Sequence, residues 1–294
     1  MNPAKLLMTG VKAVRPIADA VRTAETVSES GGHLAVLPGD PDATERLRGL
    51  LGTPEAAPDE DALAILATTP RTDLSAAAAA LERARRRHPD RALAVLIGTR
   101  SERAELEREL LEGHRLETSN VVHVASLEGP GAERVIEAVI AALGDEAIAV
   151  GRRNPGLRRA IGDRIVRGGA RQAAGVGALP LAGADMPILI LVQVKMVAQL
   201  AALYDRPFGP ERALEALAIV GAGFGWRAVG RNAAGLVPVA GWAVKGSLAY
   251  AVTRALGEAA HARLAAGHDL IGGPPLDAVK PQLERVLGRL RRGR

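Results

Sequence analysis

A chain of 294 residues that is 48% hydrophobic and 24% charged has material for one large or two modest domains, and its composition is not that of a disordered chain. It holds no cysteine, which excludes disulfides and every site built on a thiolate. Residues 1–150 carry 24 acidic against 17 basic side chains, whereas 151–294 carry 21 basic against 9 acidic, so the basic half is also the apolar half and suits an anionic surface better than duplex DNA.

The start lacks a secretory signal, because charges recur too closely to leave a continuous apolar run. Residues 3–22 instead predict an amphipathic helix. Lys5, Lys12, Arg15, Asp19 and Arg22 share one arc, opposite Leu6, Leu7, Val11, Val14, Ile17 and Val21. A polar hinge closes this first segment at residue 32. From 33 to 144 the pattern alternates. HLAVL, ALAILA, ALAVLI and NVVHVAS read as strands, each followed by a loop and a helix. Four such repeats predict a small parallel sheet with flanking helices, and the nearly all-apolar runs predict strands covered on both faces. Ligand loops of such sheets lie at the carboxyl ends of the strands, here PGDPDAT, TTPRTD, GTRSE and SLEGPG.

Residues 145–170 read as a basic connector helix. Leu157, Ile161 and Ile165 form its packing stripe, and Arg152, Arg153, Arg158 and Arg159 are its candidate contacts to a membrane or another anion. Residues 171–270 read as all-helical, so the fold class is α/β plus all-α. All six aromatic residues lie here: Tyr204, Phe208, Phe224, Trp226, Trp242 and Tyr250. No segment reaches the ~18 uncharged apolar residues of a membrane span. The nearest, 172–194, is interrupted by Pro180, Asp185 and Pro187, a pattern that allows a re-entrant or buried helical hairpin. Residues 271–294 predict a basic amphipathic helix, with Leu276, Val279, Leu283, Val286, Leu287 and Leu290 on one face. That seam docks internally or against a second copy, which allows a homo-oligomer and leaves any other protein partner open.

The chemistry-bearing motifs fail one by one. A phosphate loop needs GxxxxGK[ST], in which glycine amides surround the phosphates and a lysine reaches the terminal ones. After the first strand Gly39 is followed by DPDATER, with no second glycine and no lysine, and with Asp40 and Asp42 adding negative charge. Gly221, Gly223 and Gly225 imitate a dinucleotide fingerprint. Its third glycine, however, falls on Trp226, and no acidic residue follows before Glu258. The glycines therefore read as close helix packing. The six histidines form no HxxxH pair, which argues against a metal site. The arginine-rich stretch lacks the interleaved aromatics of a single-strand binder, so nucleic acid is not favoured as a partner.

Two resemblances organise the rest. The order of elements in 33–144 resembles an Era/TrmE-like P-loop GTPase domain that has degenerated. Thr99-Arg100-Ser101-Glu102 stands where the base-reading NKxD loop would be, and Ala125-Ser126-Leu127-Glu128-Gly129 is similar to the SAxxG loop; the DxxG switch and its strand are missing. Segments QAAGVGALPLAGAD, QVKMVAQLAALYDRP, GLVPVAGWAVKG and AYAVTRALGEAA resemble the YcjF-type helical domain of unknown function, found beside GTPase domains and in bacterial membrane-associated proteins. The signature is clearest at Gln193, Lys195, Met196, Tyr204, Pro238, Gly241, Lys245, Tyr250 and Glu258. This resemblance implies a membrane-associating module and carries over no catalytic residue and no cofactor. The expectation is a non-catalytic scaffold at an anionic membrane surface, peripheral to or embedded in a bacterial inner membrane on its cytoplasmic side. The alternative is a divergent GTPase or NTPase that draws its phosphate contacts from Arg71, Arg100 or the arginines of 152–171.

Overall fold

The computed structural model describes Thr26 and residues 33–53, 62–87, 92–114, 120–179, 185–206 and 241–270. The amphipathic helix expected at 3–22, the glycine-rich GAGFGW segment, Pro238 and the helix expected within 271–294 lie outside the described residues. Two compact units divide the chain. One is Glu29–Ile161, and the other takes in the described residues from Gly162 onward.

The first unit is the parallel sheet that the apolar runs predict. Strands β1 (His33–Leu37), β2 (Ala62–Thr68), β3 (Ala92–Ile97) and β4 (Val121–Val124) lie side by side in sequence order, all parallel. Between and after them run α1 (Pro41–Leu51), α2 (Leu74–Arg87), α3 (Arg100–His114) and α4 (Pro130–Leu143). Every residue of β2 is buried, because both of its faces are covered. Alternation along the strands assigns the layers. Leu37, Ala64, Leu66, Ala92, Ala94 and Leu96 pack with Ala80 and Leu81 of α2 and with Leu106 and Leu110 of α3, so these two helices cover one face.

Leu47 and Leu51 of α1 are fully buried against β1 and β2 but stand outside that cluster, which puts α1 on the other face. There α4 joins it, since Gly131 lies beneath Val124, a residue of the opposite strand parity from Val121. Strand order advances in one direction while α1 and α2 lie on opposite faces. The β1–α1–β2 connection therefore has the opposite hand from β2–α2–β3, although such connections are right-handed in nearly every protein.

Past α4 a short 3-10 turn leads into α5 (Ala147–Arg153) and α6 (Pro155–Ala178). The first compact unit continues to Ile161, and α6 passes through residue 170 without a break. Pro155 opens α6, where its missing N–H is not needed. No proline recurs before Pro180, so nothing in the sequence ends the helix at residue 170.

The second unit is helical, as expected. It contains the body of α6, then α7 (Asp185–Leu203) and α8 (Gly241–Ala265). Its core gathers Val166, Val194, Met196, Val197, Leu200, Leu256 and Leu264. Three close approaches fix the register between α6 and α8: Gly162 under His261, Val166 against Gly257, and Gly177 against Ala249. Numbers fall on one helix as they rise on the other, so α6 and α8 are antiparallel. Contacts Gln193–Thr253 and Tyr204–His261 rise together, so α7 and α8 are parallel.

Candidate functional site

Among the described residues two places concentrate polar side chains, and each is built inside one unit. The first is the rim at the carboxyl ends of the strands. Gly39, at the end of β1, is required by packing: a Cβ there would overlap the carbonyl of Ala67 on β2. Asp40 follows in extended conformation and caps α1, its Oδ1 accepting from the Ala43 amide at 2.9 Å. Its Oδ2 accepts from the Thr69 hydroxyl, also at 2.9 Å, which ties the first loop to the second. The Ala43 amide leads the causes that hold the Asp40 carboxyl below its usual range, with Thr69 and the positive charge of Arg71 adding to it.

The other loops close on themselves in the same way. Asp73 caps α2 through Ser75. Glu102 reaches back to the amide and hydroxyl of Thr99, each at 2.7 Å, and these two bonds lower its pKa. Arg103 donates to the carbonyl of Gly98, whose φ of 147° is a glycine conformation. Of the SAxxG-like loop, Ser126 is exposed, and its carbonyl lies where a Cβ at Gly131 would fall. The helix N-terminus that a phosphate would use at α1 thus already holds a carboxylate.

The second place is a chain of side chains joining α6, α7 and α8. His261 on α8 is buried, with Gly162 of α6 directly beneath its ring. One ring nitrogen, Nδ1, lies 3.4 Å from Asp163 Oδ1 on α6; the other, Nε2, lies 2.9 Å from the Tyr204 hydroxyl just past the end of α7. The tautomer with hydrogen on Nδ1 gives the carboxylate a donor and leaves Nε2 to accept from Tyr204. Three turns along α8 from its start, Thr253 is fully buried and its hydroxyl accepts from Gln193 Nε2 at 3.1 Å. Between these polar ties Met196 is buried, its sulfur against Gly169 of α6 and Gly257 of α8.

Residues 152–268 match the family DUF697, Domain of unknown function (DUF697). The matched stretch opens in the last turn of α5, takes in all of α6, α7 and α8, and ends at His268. Neither the curated proteins nor the solved structures give a match.

Within the DUF697 stretch the nominated residues fall into distinct roles. Gln193, Met196 and Tyr204 face α8 and make the contacts just described. Gly241 is the first residue of α8, and Lys245 stands exposed in its second turn. Lys195 is exposed on α7. Tyr250 is half-buried, and Glu258 pairs with Arg254 at 2.6 Å along the surface of α8. The Arg254 pKa rises through this bond to Glu258 first and through Tyr250 after it.

The nominated arginines separate as well. Arg153 and Arg159 are exposed, whereas Arg152 and Arg158 are half-buried. Arg158 donates from Nε to the carbonyl of Gly151 at 3.1 Å and from a terminal nitrogen to that of Arg152, covering the open end of α5. Asp163, Thr253, Gly257 and His261 were not singled out from sequence, because their partners lie on other helices at separations that no spacing rule covers. Among the described residues no helix is long and apolar enough to cross a membrane.

Proposed function

We propose that the chain is a non-catalytic scaffold at a membrane surface, whose sheet unit is a GTPase-like domain that no longer takes nucleotide. The observation that carries this reading is the double engagement of Asp40. Its carboxylate occupies the head of α1 and fastens the loop after β2 through Thr69, so a phosphate entering there would meet a fixed negative charge. At the position of the base-reading loop, Glu102 is turned back onto the amide and hydroxyl of Thr99 in its own loop.

The topology supports descent from such a domain. A one-way strand order with α1 on the face opposite α2 and α3 is what remains when a strand and helix between α1 and β2 are lost. Association with an anionic membrane surface draws its support from the coincidence of the basic and apolar halves; a bacterial cell and its cytoplasmic side enter only through the resemblance to the YcjF-type domain. Titration of the full chain with fluorescent GTP and ATP analogues and magnesium tests the first part. No saturable binding is expected. Saturation in the micromolar range would replace this reading by a divergent NTPase, with Arg71, which already stands in the field of Asp40, as its first candidate phosphate ligand.

A further inference from the structure

Within the second unit α6 has two unlike sides. On the packed side each glycine is required by a neighbour: a Cβ at Gly162 would overlap the His261 ring, one at Gly169 the Met196 side chain, and one at Gly177 that of Ala249. On the other side Gly168 and Gly175 have nothing within 4 Å of the place a Cβ would take. Glycine weakens a helix interior relative to alanine, and no close contact requires it at these two positions.

The same side carries arginines. Arg164, Gly168, Arg171 and Gly175 follow one another at intervals of four, three and four residues, with Arg167 beside them, on an arc of about 100°. Arg164, Arg167 and Arg171 are exposed. Among the described residues they make no ion pair and no side-chain hydrogen bond. The arginines on α8 and just past α7 differ: Arg254 pairs with Glu258, Arg206 with Asp269, and Arg263 donates to the Asp269 carbonyl. Asp163, the carboxylate of α6 itself, stands beside His261.

We infer that this side of α6 docks an acidic helix of a partner protein, whose carboxylates pair with Arg164, Arg167 and Arg171 while its backbone comes close over Gly168 and Gly175. The inference rests on the scaffold reading above and names the chemistry of what is held. Charge complementarity sets the sign of the partner. Spacing sets its form, because four-three-four rows are the lines along which helices meet. Carboxylates repeated at that spacing would face the arginines over about 10 Å of axis. The flat guanidinium fork matches a carboxylate in two hydrogen bonds at once. A lipid surface would call for apolar side chains to insert, and single-stranded nucleic acid for aromatic rings on which bases stack. This arc has neither. The same face of a second copy would set arginine against arginine.

Fluorescence anisotropy with the full chain tests this, using a labelled alanine-rich helical peptide with glutamates at intervals of four, three and four residues. A peptide of the same composition, with its glutamates spread around the helix, is the comparison. Saturable, salt-sensitive binding of the first peptide is expected, roughly tenfold tighter than that of the second. Arg164→Gln, Arg167→Gln and Arg171→Gln together should weaken it by about two- to fivefold per arginine. Arg46→Gln, Arg86→Gln and Arg108→Gln remove as many exposed charges from the sheet unit and should leave binding unchanged. Gly168→Leu with Gly175→Leu keeps every arginine but fills the two low places, and should weaken binding by roughly tenfold. Leucine is the better helix former, so circular dichroism should show no loss of helix in that variant. If helix is lost, Gly168→Gln with Gly175→Gln takes its place. No saturable binding, equal binding of the two peptides, or undiminished binding by the filled variant would each overturn the inference. A tighter complex of the same arginines with a single-stranded oligonucleotide or with phosphatidylglycerol vesicles would overturn it too. Flotation of the unmodified chain on those vesicles tests the membrane reading separately, so either can fail without the other.

Discussion

The Tyr204 hydroxyl lies 2.9 Å from His261 Nε2, and through that contact the end of α7 is held to α8, while Asp163 holds the same ring to α6. Gly162 provides the floor, because a Cβ there would overlap the imidazole. Tyr204→Phe keeps the ring contact, with centroids 5.7 Å apart, and removes only the hydroxyl. The expected cost is about 1–2 kcal/mol, the price of a buried nitrogen that loses its partner. Gly162→Ala should cost more, about 1–3 kcal/mol, because the ring must move. Urea unfolding followed by circular dichroism measures both.

Gln193 and Thr253 allow a sharper test. Thr253 is fully buried, so Gln193→Leu leaves its hydroxyl without this donor, and Thr253→Val leaves the Gln193 amide without its acceptor. Each single change should cost about 1–3 kcal/mol, and the double change clearly less than the two together. Additive costs in a thermal double-mutant cycle would show that the bond couples nothing.

At the sheet rim, Asp40→Ala removes the cap of α1 and the anchor of Thr69, with an expected loss of about 1–2 kcal/mol. Asp40→Asn keeps a capping oxygen and should lose much less. Neither change supplies a lysine or a second glycine, so neither should create nucleotide binding. A variant that gained it would show that charge alone had kept phosphate out.

The same carboxylates set the acid response. Asp40, Asp73 and Glu102 have folded pKa values below their usual ones, so in acid the unfolded chain takes up protons first. Their stabilisation is complete above the ordinary carboxylate range and is lost as pH falls through the lowered folded values. Denaturation midpoints of the full chain should hold between about pH 7 and 5 and fall below about pH 4. Asp40→Asn should flatten part of that fall.

Legibility from sequence followed the range of the forces. The four strands announced themselves because a strand covered on both faces must be apolar throughout, as ALAILA is. The parallel sheet and the helical unit followed from the same local patterns. Opposite faces for α1 and α2 did not, since the pattern of an amphipathic helix says that it packs and not on which side. The Asp163–His261–Tyr204 chain was equally hidden. His261 sits among alanines on α8, and its partners are 57 and 98 residues away in sequence, brought to it only by the register of three helices. Asp40 was legible as a negative charge in the first loop; that it caps α1 and anchors Thr69 required the fold.

Arg158 separates packing from surface charge most directly. By sequence it belongs with Arg152, Arg153 and Arg159 as one basic cluster, and removing all four charges would seem harmless to a helix whose stripe of Leu157 and Ile161 is untouched. The side chain, however, turns back to the carbonyls of Gly151 and Arg152 at the end of α5. The last carbonyls of a helix look to donors outside the helical ladder, and a guanidinium is well suited to them because it offers several donors in one plane. Arg158→Gln should therefore cost about 1.5–3 kcal/mol, the range for hydrogen bonds made by a charged group, reduced where solvent reaches it. Arg159→Gln, on the exposed side of the next residue, should stay within about 0.5 kcal/mol. Parallel thermal melts of the two variants check this. Equal midpoints would mean that water replaces the guanidinium at no cost. A gap of the expected size would mean that lipid-binding variants of this stretch must spare Arg158, or a loss of fold will pass for a loss of membrane contact.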